Sequence, residues 1–290
     1  MKRSRYAGVA GVLRVDSGVS GPVFGITVCT HGNELCGLEA VLRILRILRK
    51  KKILLRGSII MAVNNLGAAD MAARYIDVNM NRLPKNLSRL TKDRRYEIQR
   101  ARELVPVWKQ FDYAIDIHSM TQNSQPILIV TKNLSQKMIR GFPMKAIIRN
   151  IENVQIGKPA FAFYGRNSRV EVVEIEAGQH DDPKSVNIAT QSILAMLKNL
   201  KMIPDDTSRK TNSEKKEYVV VSSVMVEKSM VMSRRFRNFE RVRKGEILAR
   251  TPEKEIRSPL AGHILMVPRG RKVIKTDEEA FFLSQTMKRQ

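Results

Sequence analysis

The chain has 290 residues, 43% of them hydrophobic, and a formal net charge of +24. This length and apolar content support a folded core and exclude an intrinsically disordered chain. No apolar stretch is long enough to cross a bilayer and two cysteines cannot build a disulfide framework, so we expect a cytoplasmic protein.

The positive charge is spread along the chain, with basic runs at 43–52, 82–95 and 233–246. A strongly basic protein attracts nucleic acid, an anionic surface or an acidic substrate. No aromatic-rich RNA-binding motif and no arginine–glycine tract accompanies the runs, which makes nucleic acid the less favoured partner. Solvated helix faces and loops explain the charge equally well, so charge alone does not choose a function.

Apolar strands alternate with amphipathic helices over the first two thirds of the chain. We predict strands at 23–29, 58–63, 113–117, 125–130 and 170–177, and helices at 34–51, 92–110 and 185–200. Residues 64–70, which are polar and contain a glycine, are predicted as a loop. The alternation predicts an α/β fold with a mostly parallel sheet flanked by helices.

The first predicted helix has a clear apolar side. Its members are Leu38, Val41, Leu42, Leu45 and Leu48. Their spacing of three and four residues predicts that this stripe packs against the sheet.

Beyond residue 203 the sequence changes character. Residues 204–217 are polar and lack a hydrophobic period, as is typical of a linker. Short apolar runs broken by glycine, proline and charge follow, and they predict a small all-β domain. We therefore expect one domain at 1–203 and a second at 218–290.

A histidine and a glutamate three residues apart, His31 and Glu34, follow the first buried strand. Taken alone this pair is a weak signal, since a glutamate also suits the positive end of a helix. His118, however, ends another apolar strand, at the edge where open α/β sheets hold ligands. Two histidines and one carboxylate leave the fourth zinc position to water, as a catalytic site requires.

Carboxylates near these strand ends supply candidates for a general base. Glu176 ends the strand at 170–177, and Glu171 and Glu174 precede it as alternatives. Glu174 and Glu176 share a face, and Glu176 lies nearer the strand's end. Asp116, two residues before His118, is expected to orient the site, or else to be solvated or paired with an arginine.

Residues 72–84 form a polar, non-alternating stretch that contains Arg74, Asn81 and Arg82. The planar guanidinium group suits a carboxylate or a polarised carbonyl oxygen. The competing interpretation is that these arginines belong to the general basic surface.

Four further residues carry thiol or imidazole side chains. Cys29 and Cys36 are expected to be small buried residues rather than reactive thiols. His180 is expected either to line the pocket or to lie on the surface, and His263 to be structural. The "EIRSPLAGHI" stretch around His263 resembles a biotinyl/lipoyl-type barrel but lacks the lysine of a carrier domain.

The motifs "HGNE", "RYIDVNMNR", "DIHS" and "EAG", in this order, resemble those of the succinylglutamate desuccinylase/aspartoacylase family of zinc hydrolases. Members of that family share the fold of the zinc carboxypeptidases. The motifs span residues 31–178, and a small C-terminal β domain also fits the family. Two features depart from the pattern: "NNLGAAD" lacks the usual proline, and the chain is unusually basic.

The resemblance implies a role for each matching position. It implies zinc ligands at His31, Glu34 and His118, a general base at Glu176, an oxyanion contact at Arg74, and substrate-carboxylate contacts at Asn81, Arg82 and Arg166, with Arg169 as the alternative to Arg166. One zinc ion per chain is implied as the cofactor.

These implications lead to one leading function and two alternatives. The leading one is hydrolysis of an amide bond next to a free carboxylate, as in an N-acyl amino acid deacylase. The first alternative is a metallocarboxypeptidase acting on acidic peptides or polymers, which the net charge favours. The second is an anion- or nucleic-acid-binding protein on the same scaffold with catalysis lost. Oligomeric state stays open, and a homo-oligomer is compatible with the sequence.

Overall fold

The computed structural model describes residues 2–5, 8–51, 53–122, 124–131, 134–165, 170–205, 215–273 and 278–287. Within these residues the chain forms fifteen strands and five α-helices. The strands are β1 (Lys2–Arg5), β2 (Val12–Asp16), β3 (Val23–Val28), β4 (Ser58–Val63), β5 (Tyr113–Met120), β6 (Ile127–Val130), β7 (Ala146–Arg149), β8 (Glu171–Gln179), β9 (Lys216–Met225), β10 (Val231–Met232), β11 (Glu240–Val242), β12 (Ile247–Arg250), β13 (Glu255–Arg257), β14 (Gly262–Leu265) and β15 (Glu279–Thr286). The helices are α1 (Cys36–Lys51), α2 (Leu66–Asp70), α3 (Tyr96–Trp108), α4 (Ile151–Val154) and α5 (Pro183–Asn199).

Twelve of the described strands form one mixed sheet, in the order β1-β2-β4-β3-β5-β8-β6-β7-β9-β15-β14-β11. The strands β4, β3, β5 and β8 run parallel to one another, and antiparallel pairs lie toward both edges. The architecture is therefore a mixed α/β fold. The parallel centre brings the carboxyl ends of β3, β5 and β8 to one edge, which is where parallel sheets place ligands.

Helices cover the two faces of this sheet. On one face α1 and α5 pack over a core that includes Ile44, Leu48 and Ile193. On the other face α3 and short 3₁₀ turns cover a second core around Trp108. Both faces of the central strands are thus buried, which explains why these strands are continuously apolar in the sequence.

Two local predictions are wrong. Leu42 is 45% exposed, and Ile44 takes its place in the buried stripe of α1. Residues 66–70 form helix α2 rather than a loop, because the side chain of Asn65 accepts a hydrogen bond from the backbone N–H of Ala68 and caps the helix. The other predicted strands and helices are present, with ends shifted by a few residues.

The chain beyond residue 215 continues the large sheet. β9 lies parallel to β7 and antiparallel to β15, and its first residues fall within the predicted linker 204–217. The strands β10, β12 and β13 form a separate three-stranded sheet. A further apolar core, around Met230, Leu248 and Phe281, lies among these C-terminal strands. None of the helices in the described ranges has the length and apolar character needed to cross a membrane.

Candidate metal and active site

His31, Glu34 and His118 meet at the carboxyl edge of the sheet. His31 and Glu34 lie in the turn between β3 and α1, and His118 lies in the adjacent strand β5. All three are buried, and their ligand atoms lie within 4.8 Å of one another. Nδ1 of His31 is 2.8 Å from Oε1 of Glu34, and Nδ1 of His118 is 2.9 Å from Oε2. One carboxylate therefore faces two imidazole nitrogens.

The turn that carries His31 and Glu34 is tightly packed. The backbone N–H of Glu34 donates to the carbonyl of His31, and the N–H of Gly32 donates to the carbonyl of Arg74, both at 3.1 Å. A Cβ atom at Gly32 would lie 2.1 Å from the carbonyl carbon of Ala68 in α2. Only glycine allows this approach, so the glycine of "HGNE" is required by packing.

The hydrogen bonds of His31 leave a position for a cation between its Nδ1 atom and Glu34. Oδ1 of Asn79 accepts from the backbone N–H of Asn81 at 2.7 Å, so the Nε2 atom of His31, 3.0 Å away, must be the donor. The Nδ1 atom of neutral His31 then directs its lone pair at the Glu34 carboxylate. Two acceptors 2.8 Å apart need a proton or a metal ion between them, and His–Glu–His donors suit zinc.

The pKa values of His31 and Glu34 agree with this arrangement. Burial lowers the pKa of His31 to about 4, and Arg74 contributes in the same direction. Burial alone would raise the pKa of Glu34, but His31 and His118 outweigh it and hold that pKa well below its usual value. The site therefore contains an ionised carboxylate and a neutral His31, as metal ligation requires.

Asp116 lies on the far side of His118. Its Oδ2 is 3.6 Å from Nε2 of His118, and its Oδ1 accepts from the hydroxyl groups of Thr27 at 2.8 Å and Thr30 at 3.1 Å. Burial would lower the pKa of His118, but Asp116 and Glu34 raise it well above its usual value. Asp116, His118 and Glu174 form a second buried group of potential ligand atoms. Because hydroxyl donors already bind Asp116, its carboxylate supports His118 from behind.

Glu176 lies beside His118, its register partner across β5 and β8. Its Oε2 atom is buried and accepts no hydrogen bond from the described residues. Burial raises its pKa well above the usual value, and the negative charge of Glu34 adds to the shift. Oε2 of Glu174, two residues earlier, is also unbonded, and burial raises the pKa of Glu174 to about 7. Both carboxylates line the cavity described below.

Arg74 contacts two glutamates, Glu34 and Glu278. Its Nη1 lies 3.5 Å from Oε1 of Glu34, and its Nη2 lies 3.5 Å from Oε2 of Glu278. Glu278 also accepts a hydrogen bond from Nδ2 of Asn79 at 2.9 Å. Glu278 therefore joins Arg74 to the residue that orients His31.

Arg82 is paired with Glu279, the residue that follows Glu278. Nε and Nη2 of Arg82 donate to Oε2 of Glu279 at 2.9 and 2.6 Å, and Nη1 donates to the carbonyl oxygen of Asn81 at 2.8 Å. Asn81 is buried, and its side-chain oxygen accepts from the backbone N–H of Ala160 at 3.4 Å. Arg166, the remaining predicted carboxylate contact, lies outside the described residues, as does its alternative Arg169.

A cavity of about 670 Å³ opens over these residues. His31, Arg74, Arg82 and Glu176 line it, together with residues 266–273 of the C-terminal strands and loops. The cavity thus combines predicted catalytic groups with apolar and basic side chains from the far end of the sequence.

The loop that carries Arg74 and Asn79 is held by a residue that the sequence analysis missed. Glu97, fully buried in the first turn of α3, accepts from the backbone N–H groups of Ile76 at 2.6 Å and of residues 77 and 78 at 3.0 Å. It also accepts from the side chain of Asn65 at 3.1 Å. Its only sequence signal is an acidic residue in a predicted helix, which is usually exposed.

The remaining candidates have defined places. Nδ1 of His180 lies 2.8 Å from the hydroxyl of Ser119, and His180 lines the cavity. His263 is buried in β14, away from this cavity. Cys29 and Cys36 are buried free thiols, as predicted, and burial raises the pKa of each to about 12.

The sequence of this chain is similar to those of known proteins. Residues 20–203 match the model of the succinylglutamate desuccinylase/aspartoacylase catalytic domain. An N-acyl-aromatic-L-amino acid amidohydrolase (carboxylate-forming) of Mus musculus is 34% identical over 122 residues. That match covers 38% of this chain and 37% of the mouse enzyme, so it spans little more than a third of either protein.

Solved structures resemble the whole fold. A succinylglutamate desuccinylase of Vibrio parahaemolyticus superposes with a TM-score of 0.73 at 13% identity, covering 99% of this chain and 91% of that one. A succinylglutamate desuccinylase/aspartoacylase of Rhodobacter sphaeroides gives 0.71 at 18% identity, covering 96% and 89%. The ectoine utilization protein EutE of Ruegeria pomeroyi, in a product-bound structure, gives 0.70 at 16% identity, covering 94% and 88%. At these identities the likeness concerns the fold.

Proposed function

Because this chain belongs to the succinylglutamate desuccinylase/aspartoacylase family, we propose that it is a zinc-dependent amide hydrolase acting on N-acyl amino acids. The observation that carries the proposal is the Glu34 carboxylate facing the Nδ1 atoms of His31 and His118. These three side chains would hold one zinc ion. Zinc bound there would act as a Lewis acid that acidifies water and polarises a carbonyl group.

Glu176 serves as general base and then as general acid. Its buried, unbonded Oε2 faces the cavity beside His118, so it is placed to take a proton from the attacking water. Its raised pKa suits a group that later returns this proton to the leaving nitrogen. Glu174 and Glu171 are the alternatives, and Glu171 lies at the opposite end of β8.

Arg74 stabilises the negative charge that develops on the carbonyl oxygen. Its guanidinium group lies against Glu34 and is only partly exposed, so it is positioned before substrate binds. Such preorganised charge is usually the largest single contribution to lowering a barrier of this type.

Recognition of the substrate's carboxylate by Asn81, Arg82 and Arg166 stays a prediction. Asn81 and Arg82 line the cavity, which supports a contact with substrate, but Arg82 is already paired with Glu279.

Basic residues at the mouth of the cavity favour the second candidate, a carboxypeptidase acting on acidic peptides. Loss of catalysis, with the scaffold kept for binding anions or nucleic acid, is disfavoured because His31, Glu34 and His118 lie together and Glu176 lies beside His118.

We also infer that two parts of the chain have different roles. Residues 1–203 carry the catalytic groups in a carboxypeptidase-like arrangement, and residues 218–290 form a small all-β unit, joined by 204–217, that walls the cavity. The separate apolar core around Met230 and Phe281 supports this division. A cytoplasmic location and a homo-oligomeric state stay predictions.

Metal analysis together with a substrate screen tests the proposed function. We expect about one zinc ion per chain in the purified protein, and release of free amine from N-acyl amino acids that ceases on chelation and returns with added zinc. Protein that binds zinc but hydrolyses acidic peptides only would favour the carboxypeptidase. Tight, salt-sensitive nucleic-acid binding without zinc would overturn the hydrolase.

A further inference from the structure

Glu278 closes a ring of polar contacts beside the candidate metal site. Its Oε1 accepts from Nδ2 of Asn79 at 2.9 Å, and its Oε2 lies 3.5 Å from Nη2 of Arg74. Oδ1 of the same Asn79 binds His31, His31 faces Glu34, and Glu34 in turn faces Arg74. Every other member of the ring lies within residues 31–79, whereas Glu278 follows Asn79 by 199 residues.

The position of Glu278 is fixed by its main chain as well as its side chain. The backbone N–H of Val226, just after β9, donates to the carbonyl oxygen of Glu278 at 3.0 Å and so continues the ladder between β9 and β15. The side chain is 9% exposed. Burying a carboxylate is costly unless donors bind it, and Asn79 and Arg74 both offset that cost.

Through Asn79, Glu278 acts on the metal-ligand candidate His31. An ionised carboxylate, the form that a neighbouring arginine favours, only accepts hydrogen bonds, so the amide nitrogen of Asn79 must face it. The amide oxygen is then turned toward Nε2 of His31, in agreement with the backbone N–H of Asn81 that binds the same oxygen. Glu278 therefore helps to set the tautomer that directs the Nδ1 lone pair of His31 at the metal position.

Through its other oxygen, Glu278 acts on Arg74. The guanidinium group lies between two carboxylates, with Nη1 3.5 Å from Glu34 and Nη2 3.5 Å from Glu278. Both separations are long for hydrogen bonds, so the attraction is mainly between charges. Nε of Arg74 has no hydrogen-bond partner among the described residues. The group is thus held in place while donors are left for a carbonyl oxygen.

We propose that Glu278 is a positioning residue of the catalytic site, supplied by the C-terminal strands. It orients His31 through Asn79 and holds the guanidinium group of Arg74. It acts through these residues rather than on the reacting amide. The proposal rests on the amide-hydrolase function and assigns part of its catalytic arrangement to the C-terminal strands.

Zinc affinity, measured on the whole chain by competition with a chelator, tests the action through Asn79. We expect Glu278→Ala to weaken zinc binding about tenfold, because Asn79 loses the acceptor that fixes its amide. Glu278→Gln keeps an oxygen that can accept from Asn79, so its zinc affinity should change less than about threefold. In an Asn79→Ala background, Glu278→Ala should cause less than about a twofold further loss, because residues that act through one another are not additive.

Steady-state kinetics on zinc-saturated protein test the action on Arg74. In Glu278→Gln the new amide nitrogen would face the N–H groups of Arg74, which sets donor against donor. The substrate is the N-acyl amino acid that the parent protein hydrolyses fastest. We expect kcat to fall about tenfold and KM to change less than about threefold, because the displaced guanidinium meets the charge that develops in the transition state.

Glu217 provides a matched control in the same part of the chain. It accepts from Nε of Arg149 at 2.6 Å, and neither residue lines the cavity. Glu217→Ala and Glu217→Gln should leave zinc affinity, kcat and KM unchanged. Circular dichroism and the melting temperature of each variant establish that it is folded, and if Glu278→Ala does not fold, the kcat of Glu278→Gln decides.

Three results would each overturn the proposal. The first is zinc affinity equal to that of the parent protein in folded Glu278→Ala. The second is an equal loss of zinc affinity on Glu278→Ala with and without Asn79, and the third is an unchanged kcat in Glu278→Gln. Failure of the hydrolase function is a separate outcome. A parent protein that binds zinc but hydrolyses no N-acyl amino acid would overturn that function, while the zinc affinities would still decide whether Glu278 acts on His31.

Discussion

His31 and Asn79 are 48 residues apart in the sequence and meet through a 3.0 Å hydrogen bond between Nε2 and Oδ1. The backbone N–H bound to the same Oδ1 makes that atom an acceptor only. The bond therefore sets the tautomer of His31 and directs its Nδ1 lone pair at Glu34. A partner that orients a ligating imidazole in this way contributes to metal affinity without touching the metal.

Replacing Asn79 by alanine should weaken zinc binding about 10- to 100-fold, because His31 loses the acceptor that orients it. Competition with a chelator of known affinity measures the change. Asn187→Ala is the matched control, since Asn187 is an exposed residue of α5 whose side chain accepts from Arg43. Equal zinc affinity in Asn79→Ala and the parent protein would contradict this orienting role.

Glu176→Gln should lower kcat about 10²- to 10⁴-fold and leave the zinc content unchanged, because the amide cannot accept the proton of the attacking water. Steady-state kinetics and metal analysis on the same preparation measure both. Glu171→Gln serves as the control because it lies at the far end of β8. A larger loss of kcat in Glu174→Gln than in Glu176→Gln would assign the base to Glu174 instead.

Glu97→Gln should destabilise the protein by about 3 kcal/mol. The amide nitrogen of the glutamine would replace a carboxylate oxygen that now accepts from two N–H groups, so N–H donors would face each other. The substitution should also lower kcat, because the bonded residues 76–78 lie between Arg74 and Asn79. Urea unfolding and kinetics measure the two effects. The control is Glu103→Gln on the same helix, where Glu103 is half exposed and the expected loss is below about 1 kcal/mol. A variant that is stable but has a low kcat, or one that is unstable but keeps its kcat, would separate the two roles.

His263 should make stability depend on pH. Burial lowers its pKa, and the positive charges of Lys216 and Arg241 add to that shift, while the ring of Tyr218 packs 5.2 Å away. The unfolded chain therefore binds the extra proton first, so stability rises with pH in this window and is lost as pH falls below the unfolded value of about 6.5. The free energy of unfolding, measured with urea between about pH 5 and pH 8, should depend less steeply on pH in His263→Gln than in the parent protein. An unchanged pH dependence would mean that His263 titrates alike in the folded and unfolded states.

The meeting of His31, Glu34 and His118 could be predicted because its signal is local. His31 and Glu34 sit three residues apart after an apolar strand, and His118 ends a second one. Parallel pairing of β3 with β5 then brings the two strand ends together, as the rule for open α/β sheets requires. β8 pairs in parallel with β5 in the same way, and this pairing puts Glu176 beside His118.

Contacts made across long sequence separations could not be predicted. Glu278 and Glu279 lie about 200 residues beyond Arg74 and Arg82, and nothing in "DEEAFF" distinguishes a buried pair of glutamates from an exposed one. Their positions follow from the pairing of β15 with β9, which joins the last strands to the catalytic sheet. Helix α2 was missed for a different reason, because one capping residue, Asn65, outweighed a polar, glycine-containing composition.

The place of β15 in the sheet also bears on the order in which the cavity is assembled during synthesis. The ribosome delivers Glu278 well after His31, although both line one cavity. Proteins fold from their N-terminal parts while the remainder is still being made. The nascent chain can therefore bring His31, Glu34 and His118 together before Glu278 has been made. The cavity should be complete only once β15 has paired with β9.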